Sequence, residues 1–298
     1  YLKENPVDVI ITSGPPHSLH LIGMKLKSKL NVKWISDFRD PWTNIDYFHR
    51  LPLSNQSLTK HQQLEESVVK NSDHVIVVGN TMKQEFLAYN AQVDVISNGF
   101  DTYQNDEDIV LDDEFTITHM GMMNADRNPR SLWHVLKKLS DTNTDFKKAL
   151  KIRLIGKVAD EVKEELMLFE KNQVEFIDYL NHTEVHKYQC ASQLLLLSIN
   201  NVPNAKGIVT GKIFEYLQAK RPILAIGPED GDAADILNTT KAGKIFDFRE
   251  EEKLEAYVSS LFAQYKVRNL VVDSNNIDGY HRKQLTKELA RIIKKINA

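Results

Sequence analysis

The sequence is poor in several features, and each shortage removes a class of protein. Its 298 residues include one cysteine, Cys190, so no disulfide can form within the chain. We expect Cys190 to be a small buried side chain in a reducing compartment, and hence a cytoplasmic protein. Long apolar runs are also lacking, because the longest are strand-length and far below the roughly 20 residues that span a bilayer. No segment is predicted to cross a membrane.

An excess of charge of one sign is also missing. The formal net charge is -3, with basic residues scattered among acidic ones, so the sequence lacks the basic surface that binds nucleic acid. One cysteine and ten scattered histidines show no zinc-binding spacing. The triplet DGD at 230–232 has the form of a Mg²⁺ ligand set, but its glycine-rich setting favours a plain turn. No metal and no cofactor are predicted.

Short β-branched segments alternate with helical patterns along the chain. Continuous apolar strands separated by helices indicate parallel sheets covered on both faces. Strands are predicted at 8–12, 33–38, 74–79, 94–99, 115–121, 151–156, 174–179, 194–199, 222–227 and 242–247. Helices are predicted at 17–30, 56–71, 81–89, 129–140, 160–171, 183–191, after 210, and at 231–238, 251–265 and 278–297.

The acidic, polar segment 103–114 suits a linker between two domains. We therefore predict an α/β protein with Rossmann-like domains at 1–102 and 115–275, facing a cleft at the carboxyl ends of their strands. The last helix, within 278–298, carries an apolar stripe. It is expected to pack on the first domain, and contact with a membrane surface is the alternative. The stripe comprises Leu285, Leu289, Ile292, Ile293 and Ile296.

The stretch TGKIFEYLQAKRPILAI at 210–226 has the properties of a phosphate site. Thr210 can cap the helix, and Gly211 lets a ligand approach the backbone. Free amides at the helix start favour a phosphate, and Lys212 adds a point charge. Glu215 lies one turn further on the same face, where a carboxylate can accept two sugar hydroxyls. The alternative is an ordinary exposed Lys-Glu pair.

Six segments carry a family resemblance. They are SGPPHSLHLIG at 13–23, WISDFRDPW at 34–42, SNGFD at 97–101, MGMMNADRNPRSL at 120–132, VEFIDYLNHTEV at 174–185 and the stretch at 210–226. In this order they resemble the retaining glycosyltransferases of the GT-B fold, in the family-4-like, group 1 branch. The resemblance covers nearly the whole chain.

The resemblance implies a donor site in the second domain. A loop that starts at Gly121 ends in a basic residue that holds the donor diphosphate, here Arg127 or, less well, Arg130. Lys212 joins it, together with Thr210 and Gly211. The donor is a nucleotide-sugar such as a UDP- or GDP-sugar.

Two further parts of the donor site follow from the same resemblance. Glu215 matches the ribose-binding glutamate, and the base is expected near Ile177 and Tyr179. Gly207 stands where the family usually has a glutamate that contacts the transferred sugar. Its absence leaves the identity of the sugar open.

The first domain contributes further candidates. The resemblance places a histidine against the donor, and His17 is the best match, although a surface or capping histidine is an equal alternative. His20, Asp37, Arg39 and Asp40 are assigned to the acceptor side. The charges of the last three could instead only hold their loop together.

The implied activity is transfer of a glycosyl group, with retention, to a glycan or lipid-linked acceptor in surface polysaccharide assembly. His17, Arg127 and Lys212 are the catalytic candidates. A complete enzyme of this fold begins with roughly a further hundred residues, so the resemblance implies a first domain that is incomplete at its N-terminus. Such a chain could bind nucleotide without transferring sugar. Two alternatives stay open: a sugar-nucleotide epimerase of the same fold and a non-catalytic nucleotide-binding relative.

Overall fold

The computed structural model describes residues 1–101 and 109–297. Residues 103–108, half of the predicted linker at 103–114, therefore lie outside the described residues. The chain divides into two compact units, one made of Tyr1–Gly99 with Gly279–Ala298 and the other of Phe100–Asp278. Each unit is built on its own parallel sheet.

The first unit has a four-stranded parallel sheet in the order β1-β2-β3-β4. All strands and helices predicted for this part of the chain are confirmed, with ends shifted by a few residues. The elements are β1 Val9–Gly14, α1 Ser18–Leu30, β2 Lys33–Phe38, α2 Asn55–Asn71, β3 His74–Val77, α3 Asn80–Leu87 and β4 Val93–Val95.

The second unit has a six-stranded parallel sheet in the order β10-β9-β8-β5-β6-β7. Its predicted strands and helices are also confirmed. The elements are β5 Phe115–Met120, α4 Arg130–Thr142, α5 Thr144–Ala149, β6 Leu150–Ile155, α6 Asp160–Leu166, β7 Val174–Ile177, α7 His182–Ala191, β8 Leu194–Ser198, α8 Lys212–Ala219, β9 Ile223–Ile226, α9 Asp232–Thr240, β10 Gly243–Phe246 and α10 Glu251–Lys266.

Helix α5 is missing from the sequence prediction. Six residues are too few to show a helical period, and a local cap decides the conformation instead. The side chain of Asn143 accepts hydrogen bonds from the backbone N–H groups of Asp145 and Phe146. Phe146 is buried against the rings of Phe115 and Phe262, so this short helix closes one side of the core.

The order of the second sheet reverses between β5 and β8, and this reversal locates the candidate site. In parallel sheets with helices on both faces, ligands bind beside the carboxyl ends of the strands at such a point. Residue pairing between the two strands covers Ile117 with Leu194 and Thr118 with Leu195. The loop after β5 and the start of α8 follow these strands.

The last helix, α11 Arg282–Asn297, belongs to the first unit. Leu285 and Ile292 are buried in a cluster with Ile35, Ile76 and Ile96 of that unit. The other apolar residues of its stripe, Leu289, Ile293 and Ile296, pack against the same cluster. The stripe is thus a core surface. Within the described residues, no helix combines the length and apolar character needed to cross a membrane.

Ile292→Ala tests this packing. Removing a buried isoleucine side chain leaves a cavity, and we expect the free energy of unfolding to fall by about 2–4 kcal/mol. Urea unfolding followed by circular dichroism measures the change. Lys294→Ala, two residues away on the exposed side, is the matched control and should change stability little. Equal stability of the two variants would contradict the packing of α11.

Candidate functional site

Lys212 lies across the backbone of Gly121, where the loop after β5 meets the start of α8. A Cβ atom on Gly121 would lie 2.8 Å from Lys212 Cε and 3.2 Å from its Nζ. Gly121 also has a φ of +90°, which side-chain-bearing residues rarely adopt. A glycine is therefore required here, because the turn is left-handed and the lysine needs the space.

The ammonium of Lys212 is held in an unfavourable environment. The pKa of Lys212 is lowered from 10.5 to about 8, mainly by burial and also by the positive charge of Arg127, while Glu215 opposes the shift. Burial disfavours the charged form of a lysine, and a neighbouring cation adds repulsion. A bound anion would relieve both effects.

Arg127 is held by polar groups at the carboxyl end of β8 and by groups of its own loop. Its Nε donates to Asn200 Oδ1 at 2.9 Å, and its Nη1 donates to the Met122 carbonyl at 2.9 Å. The Ser198 hydroxyl donates to the Arg127 carbonyl at 2.7 Å. Asn200 and Ser198 carried no signal in the sequence, because their role depends on the proximity of β8 to this loop.

Arg130, the second basic candidate, is placed differently. Its Nε donates to Glu165 Oε1 at 2.6 Å, and its side chain is 62% exposed. The Arg130 guanidinium is therefore engaged in an ion pair with Glu165 of α6, in the same unit. Of the two arginines, Arg127 is the one that acts electrostatically on Lys212.

Glu215 lies one turn along α8 from Lys212 and is partly buried. Gln189 of α7 donates from its Nε2 to Glu215 Oε2 at 3.1 Å, which orients the carboxylate. The negative charge of Glu215 also raises the pKa of Lys212. The spacing in the sequence pairs Glu215 with Lys212, whereas Gln189 lies on a different helix and gave no such signal.

The predicted cap by Thr210 is wrong. Gly211 is the N-cap residue of α8, and it makes no side-chain cap. The Thr210 hydroxyl is buried and has no hydrogen-bond partner among the described residues. A Cβ on Gly211 would meet no described heavy atom within 4 Å, so the backbone is open there. No side-chain oxygen covers the helix start, and the backbone N–H groups of Ile213 and Phe214 donate to the carbonyls of Thr210 and Gly211.

The residues expected near the nucleotide base lie at the edge of the sheet. Ile177 ends β7 and is half-buried, whereas Tyr179 is 90% exposed. Strand β6 separates β7 from β5. Gly207 ends the short helical turn Ala205–Gly207 that precedes α8. The role of these residues toward a ligand stays a prediction.

Buried hydrogen bonds of Tyr216 and His119 hold together the elements that carry the site. The Tyr216 hydroxyl accepts from the Met120 backbone N–H at 3.2 Å and donates to the Leu196 carbonyl at 3.3 Å. His119 Nδ1 lies 3.0 Å from the same carbonyl. These contacts join β5, β8 and α8, the three elements that carry the site. His119 and Tyr216 were not predicted from the sequence, since both look like ordinary core positions.

In the first unit, His17 and His20 form a compact aromatic group. The His17 ring stacks on Trp42 with centroids 5.3 Å apart, and the His20 ring stacks on Phe38 at 4.4 Å. A Cβ on Gly14 would lie 2.8 Å from His17 Nδ1 and 2.7 Å from His20 Nε2. The rings thus close over Gly14.

Burial lowers the pKa of both histidines, that of His20 to about 4. His20 is fully buried, and its Nδ1 lies 2.9 Å from the Thr12 hydroxyl. His17 is half-buried. Both side chains are therefore neutral at physiological pH. The roles proposed for them toward donor and acceptor stay predictions.

Asp37 and Arg39 form an ion pair, with Arg39 Nε donating to Asp37 Oδ1 at 2.7 Å. The Ser13 hydroxyl also donates to Asp37 Oδ2 at 2.8 Å, which ties the ends of β1 and β2 together. Burial raises the pKa of Asp40, and Asp46 adds to this effect while Arg39 opposes it. The loop-holding interpretation thus has direct support, and contact with an acceptor stays a prediction.

Two smaller expectations concern Cys190 and the DGD triplet. Cys190 is only partly buried, with its Sγ 3.5 Å from His186 Nε2, so the prediction of a buried thiol is wrong. Asp230 pairs with Lys206, and Gly231 is the N-cap residue of α9, as in a turn. Among residues 1–101 and 109–297, no group of histidine, cysteine or acidic side chains could hold a metal ion.

Comparison with known proteins gives a family match for the first third of the chain. Residues 1–104 match the model described as Glycosyltransferase Family 4. A search of curated protein sequences found no match.

Solved structures match almost the whole chain. Sucrose-phosphate synthase from Thermosynechococcus elongatus has a TM-score of 0.69 at 13% identity, covering 99% of this chain and 75% of its own. Anabaena HepE in complex with UDP-glucose has a TM-score of 0.68 at 13% sequence identity, and the match covers 97% of this chain and 79% of HepE. A putative UDP-N-acetylglucosamine 2-epimerase from Listeria monocytogenes has a TM-score of 0.58 at 13% sequence identity, and the match covers 98% of this chain and 75% of the epimerase.

The chain has the GT-B fold. The predicted fold class, α/β with two Rossmann-like parallel-sheet domains, is confirmed. In this GT-B chain, the pair of Arg127 and Lys212 lies at the carboxyl ends of β5 and β8 in the second unit. At 13% identity the likeness concerns the fold, and activity has to be argued from the site.

Lys212→Met should stabilise the ligand-free protein near neutral pH. The folded-state pKa of about 8 lies below the usual 10.5, so below pH 8 the native state carries a charge that the unfolded chain solvates better. The cost is ~3 kcal/mol at most. Wild-type stability should rise between pH 8 and 10.5, where the unfolded chain binds more protons, and the variant should lack this rise.

Urea unfolding at several pH values measures the difference. Lys138→Met removes an exposed lysine of the same unit that pairs with Glu255, and it is the control. A Lys212→Met protein less stable than wild type at neutral pH would show that the ammonium is not in an unfavourable environment.

Proposed function

We propose that the chain binds the diphosphate of a nucleotide-sugar at Arg127 and Lys212 and transfers its glycosyl group with retention. The observation that carries this proposal is the pair of cations itself. Lys212 is largely withdrawn from water, and Arg127 repels it, as the lowered pKa of Lys212 reflects. An arrangement that costs stability in the free protein is typical of a site built for an opposite charge.

The start of α8 strengthens the case for a diphosphate. The free amides at a helix N-terminus and the helix dipole attract anions, and no side chain caps this end among the described residues. Gly211 leaves room for phosphate oxygens to reach the backbone. Arginine offers a planar fork and lysine a point charge, which together suit two adjacent phosphates.

The chemistry follows from the charge on the leaving group. When the bond between the sugar C1 and the diphosphate oxygen breaks, the electron pair stays on the diphosphate. Arg127 and Lys212 would neutralise this growing charge, which is electrostatic catalysis by preorganised groups. An acceptor hydroxyl then bonds to C1 on the same face and gives its proton to the departing diphosphate oxygen. We assign Glu215 to the ribose hydroxyls, since Gln189 orients its carboxylate.

The donor and acceptor are proposed by class. A UDP-sugar is the first donor to test, because HepE, of the same fold, was solved in complex with UDP-glucose. A GDP-sugar is the second. The proposed acceptor is a glycan or lipid-linked sugar of surface polysaccharide assembly. His17 is the proposed catalytic residue of the first unit.

Epimerisation of a sugar-nucleotide is the second candidate. The putative epimerase from Listeria monocytogenes shares the fold, so the fold does not separate the two activities. An epimerase isomerises its donor without an acceptor, whereas a transferase releases UDP and extends an acceptor. A non-catalytic relative would bind the nucleotide and do neither. Incubation with UDP-sugars, with and without acceptor, and chromatography of the products distinguishes the three.

Calorimetric titration with UDP, GDP and ADP tests the binding site. We expect saturable binding of one of the first two. Lys212→Ala and Arg127→Ala should each weaken it by about 10- to 100-fold, the effect of losing a charge-assisted hydrogen bond. Glu215→Gln should weaken UDP more than inorganic pyrophosphate, which has no ribose.

Lys138→Ala is the matched control, because it removes a lysine of the same unit from an exposed ion pair. Its affinity should equal that of wild type. Binding that survives both Lys212→Ala and Arg127→Ala would refute the assigned site. Absence of binding for every nucleotide would refute the proposed function of this chain.

A further inference from the structure

Helix α2 binds the loop after β2 through the carboxylate of Glu65. Glu65 Oε1 accepts hydrogen bonds from the backbone N–H groups of Trp42 at 3.1 Å and of Thr43 at 3.3 Å. Glu65 Oε2 accepts a further bond from the Thr43 hydroxyl. Both oxygens of one carboxylate are therefore bonded to two successive residues of this loop.

His61, one turn before Glu65 on the same face of α2, binds the side chain of Trp42. Trp42 Nε1 donates to His61 Nδ1 at 3.1 Å, and the two rings meet edge to face with centroids 6.1 Å apart. An indole N–H can only donate, so Nδ1 of His61 is the acceptor and its ring hydrogen is on Nε2. Trp42 is thus held by its backbone and by its indole, and it is 7% exposed.

The loop held in this way contacts the ring of His17. The indole of Trp42 and the imidazole of His17 are nearly parallel, with 12° between their planes. Pro41, the residue before Trp42, also forms a backbone hydrogen bond with His17. Phe38, at the end of β2, adds a stacked ring with centroids 5.7 Å apart. Two of these three contacts come from the loop that Glu65 binds.

The carboxylate of Glu65 is costly where it lies. Burial raises the pKa of Glu65, and the bonds from Thr43 and Trp42 oppose this effect. A carboxylate withdrawn from water destabilises a protein unless hydrogen bonds compensate it, and here the loop supplies these bonds. The next residue, Glu66, instead pairs with Lys70 of the same helix. Of these two neighbouring glutamates, Glu65 is the one that binds the loop.

We propose that Glu65 is a positioning residue, which holds the loop at Trp42 and thereby fixes the orientation of the His17 ring. Groups that take part in a reaction have to be held within about 0.5 Å of the productive geometry, and packed supporting residues provide this precision. The consequence for catalysis rests on the proposed function, in which His17 is the catalytic residue of the first unit. The orientation of the ring is a property of the ligand-free protein, so it can be tested separately from that function.

Two variants separate positioning from a contribution to stability alone. In Glu65→Gln, the amide oxygen can accept the bonds from Trp42 and Thr43, and the amide nitrogen can donate to the Thr43 hydroxyl. In Glu65→Ala, all three bonds are lost. A residue that only stabilised the fold would leave the His17 ring in place whenever the protein stays folded, whereas the positioning role predicts that the ring moves in folded Glu65→Ala. Glu66→Ala is the matched control, because it removes the neighbouring glutamate of α2.

The orientation of His17 is measured by NMR on ligand-free protein labelled with ¹³C-histidine. The Cε1–H resonance of His17 is assigned by its absence in His17→Gln, and the ring current of the stacked Trp42 shifts it upfield. We expect wild type, Glu65→Gln and Glu66→Ala to share this shift and Glu65→Ala to lose it. An unchanged His17 resonance in folded Glu65→Ala would overturn the proposal. Should Glu65→Ala not fold, His61→Leu, which removes the bond to the Trp42 indole, takes its place and is interpreted in the same way.

Assays with UDP-sugar and acceptor extend the test to the reaction. Glu65→Ala should lower kcat for transfer by about 10- to 100-fold, since a small misplacement of a reacting group has an effect of this size. Its affinity for UDP should equal that of wild type, because Lys212 and Arg127 lie in the second unit. In a His17→Gln background, Glu65→Ala should have no further effect on kcat, and an undiminished effect would contradict the proposal. If wild type transfers no sugar, the proposed function fails, and the NMR measurement still decides the role of Glu65.

Discussion

The positive charges of Lys212 and Arg127, held together at the carboxyl ends of β5 and β8, are the constraint on which the candidate site depends. Like charges in a partly buried place repel each other, so each needs its own support. Arg127 is held by Asn200 and the Met122 carbonyl. Lys212 lies over a glycine with a left-handed turn. The fold therefore maintains in the free protein an arrangement that an anionic ligand would stabilise.

The network beneath the cations explains how the arrangement is kept. Tyr216 joins the Met120 amide to the Leu196 carbonyl, and His119 donates to the same carbonyl. These bonds fix the end of β5 to β8 and to α8, beyond the paired residues of the two strands. The position of the helix that carries Lys212 is thereby linked to the loop that carries Arg127. The residues of the site are therefore held in fixed positions relative to the sheet.

The fold was accessible from the sequence, because apolar β-branched runs and helical periods are local signals that recur through the chain. The site was accessible in part: Lys212 and Glu215 share a helix face by spacing alone, whereas Arg127 was implied by family resemblance. Asn200, Gln189 and His119 were missed, since each acts on a residue that is distant in the sequence. The cap by Thr210 was predicted from residue type, but the helix begins one residue later than a cap at Thr210 requires.

A crystal structure of the chain with UDP tests the central claim most directly. We expect phosphate oxygens within about 3.2 Å of Lys212 Nζ and of the Arg127 guanidinium, with one phosphate facing the start of α8. The ribose hydroxyls should contact Glu215. Density for the diphosphate elsewhere in the second unit, with Lys212 and Arg127 unchanged and without contact to it, would contradict the account.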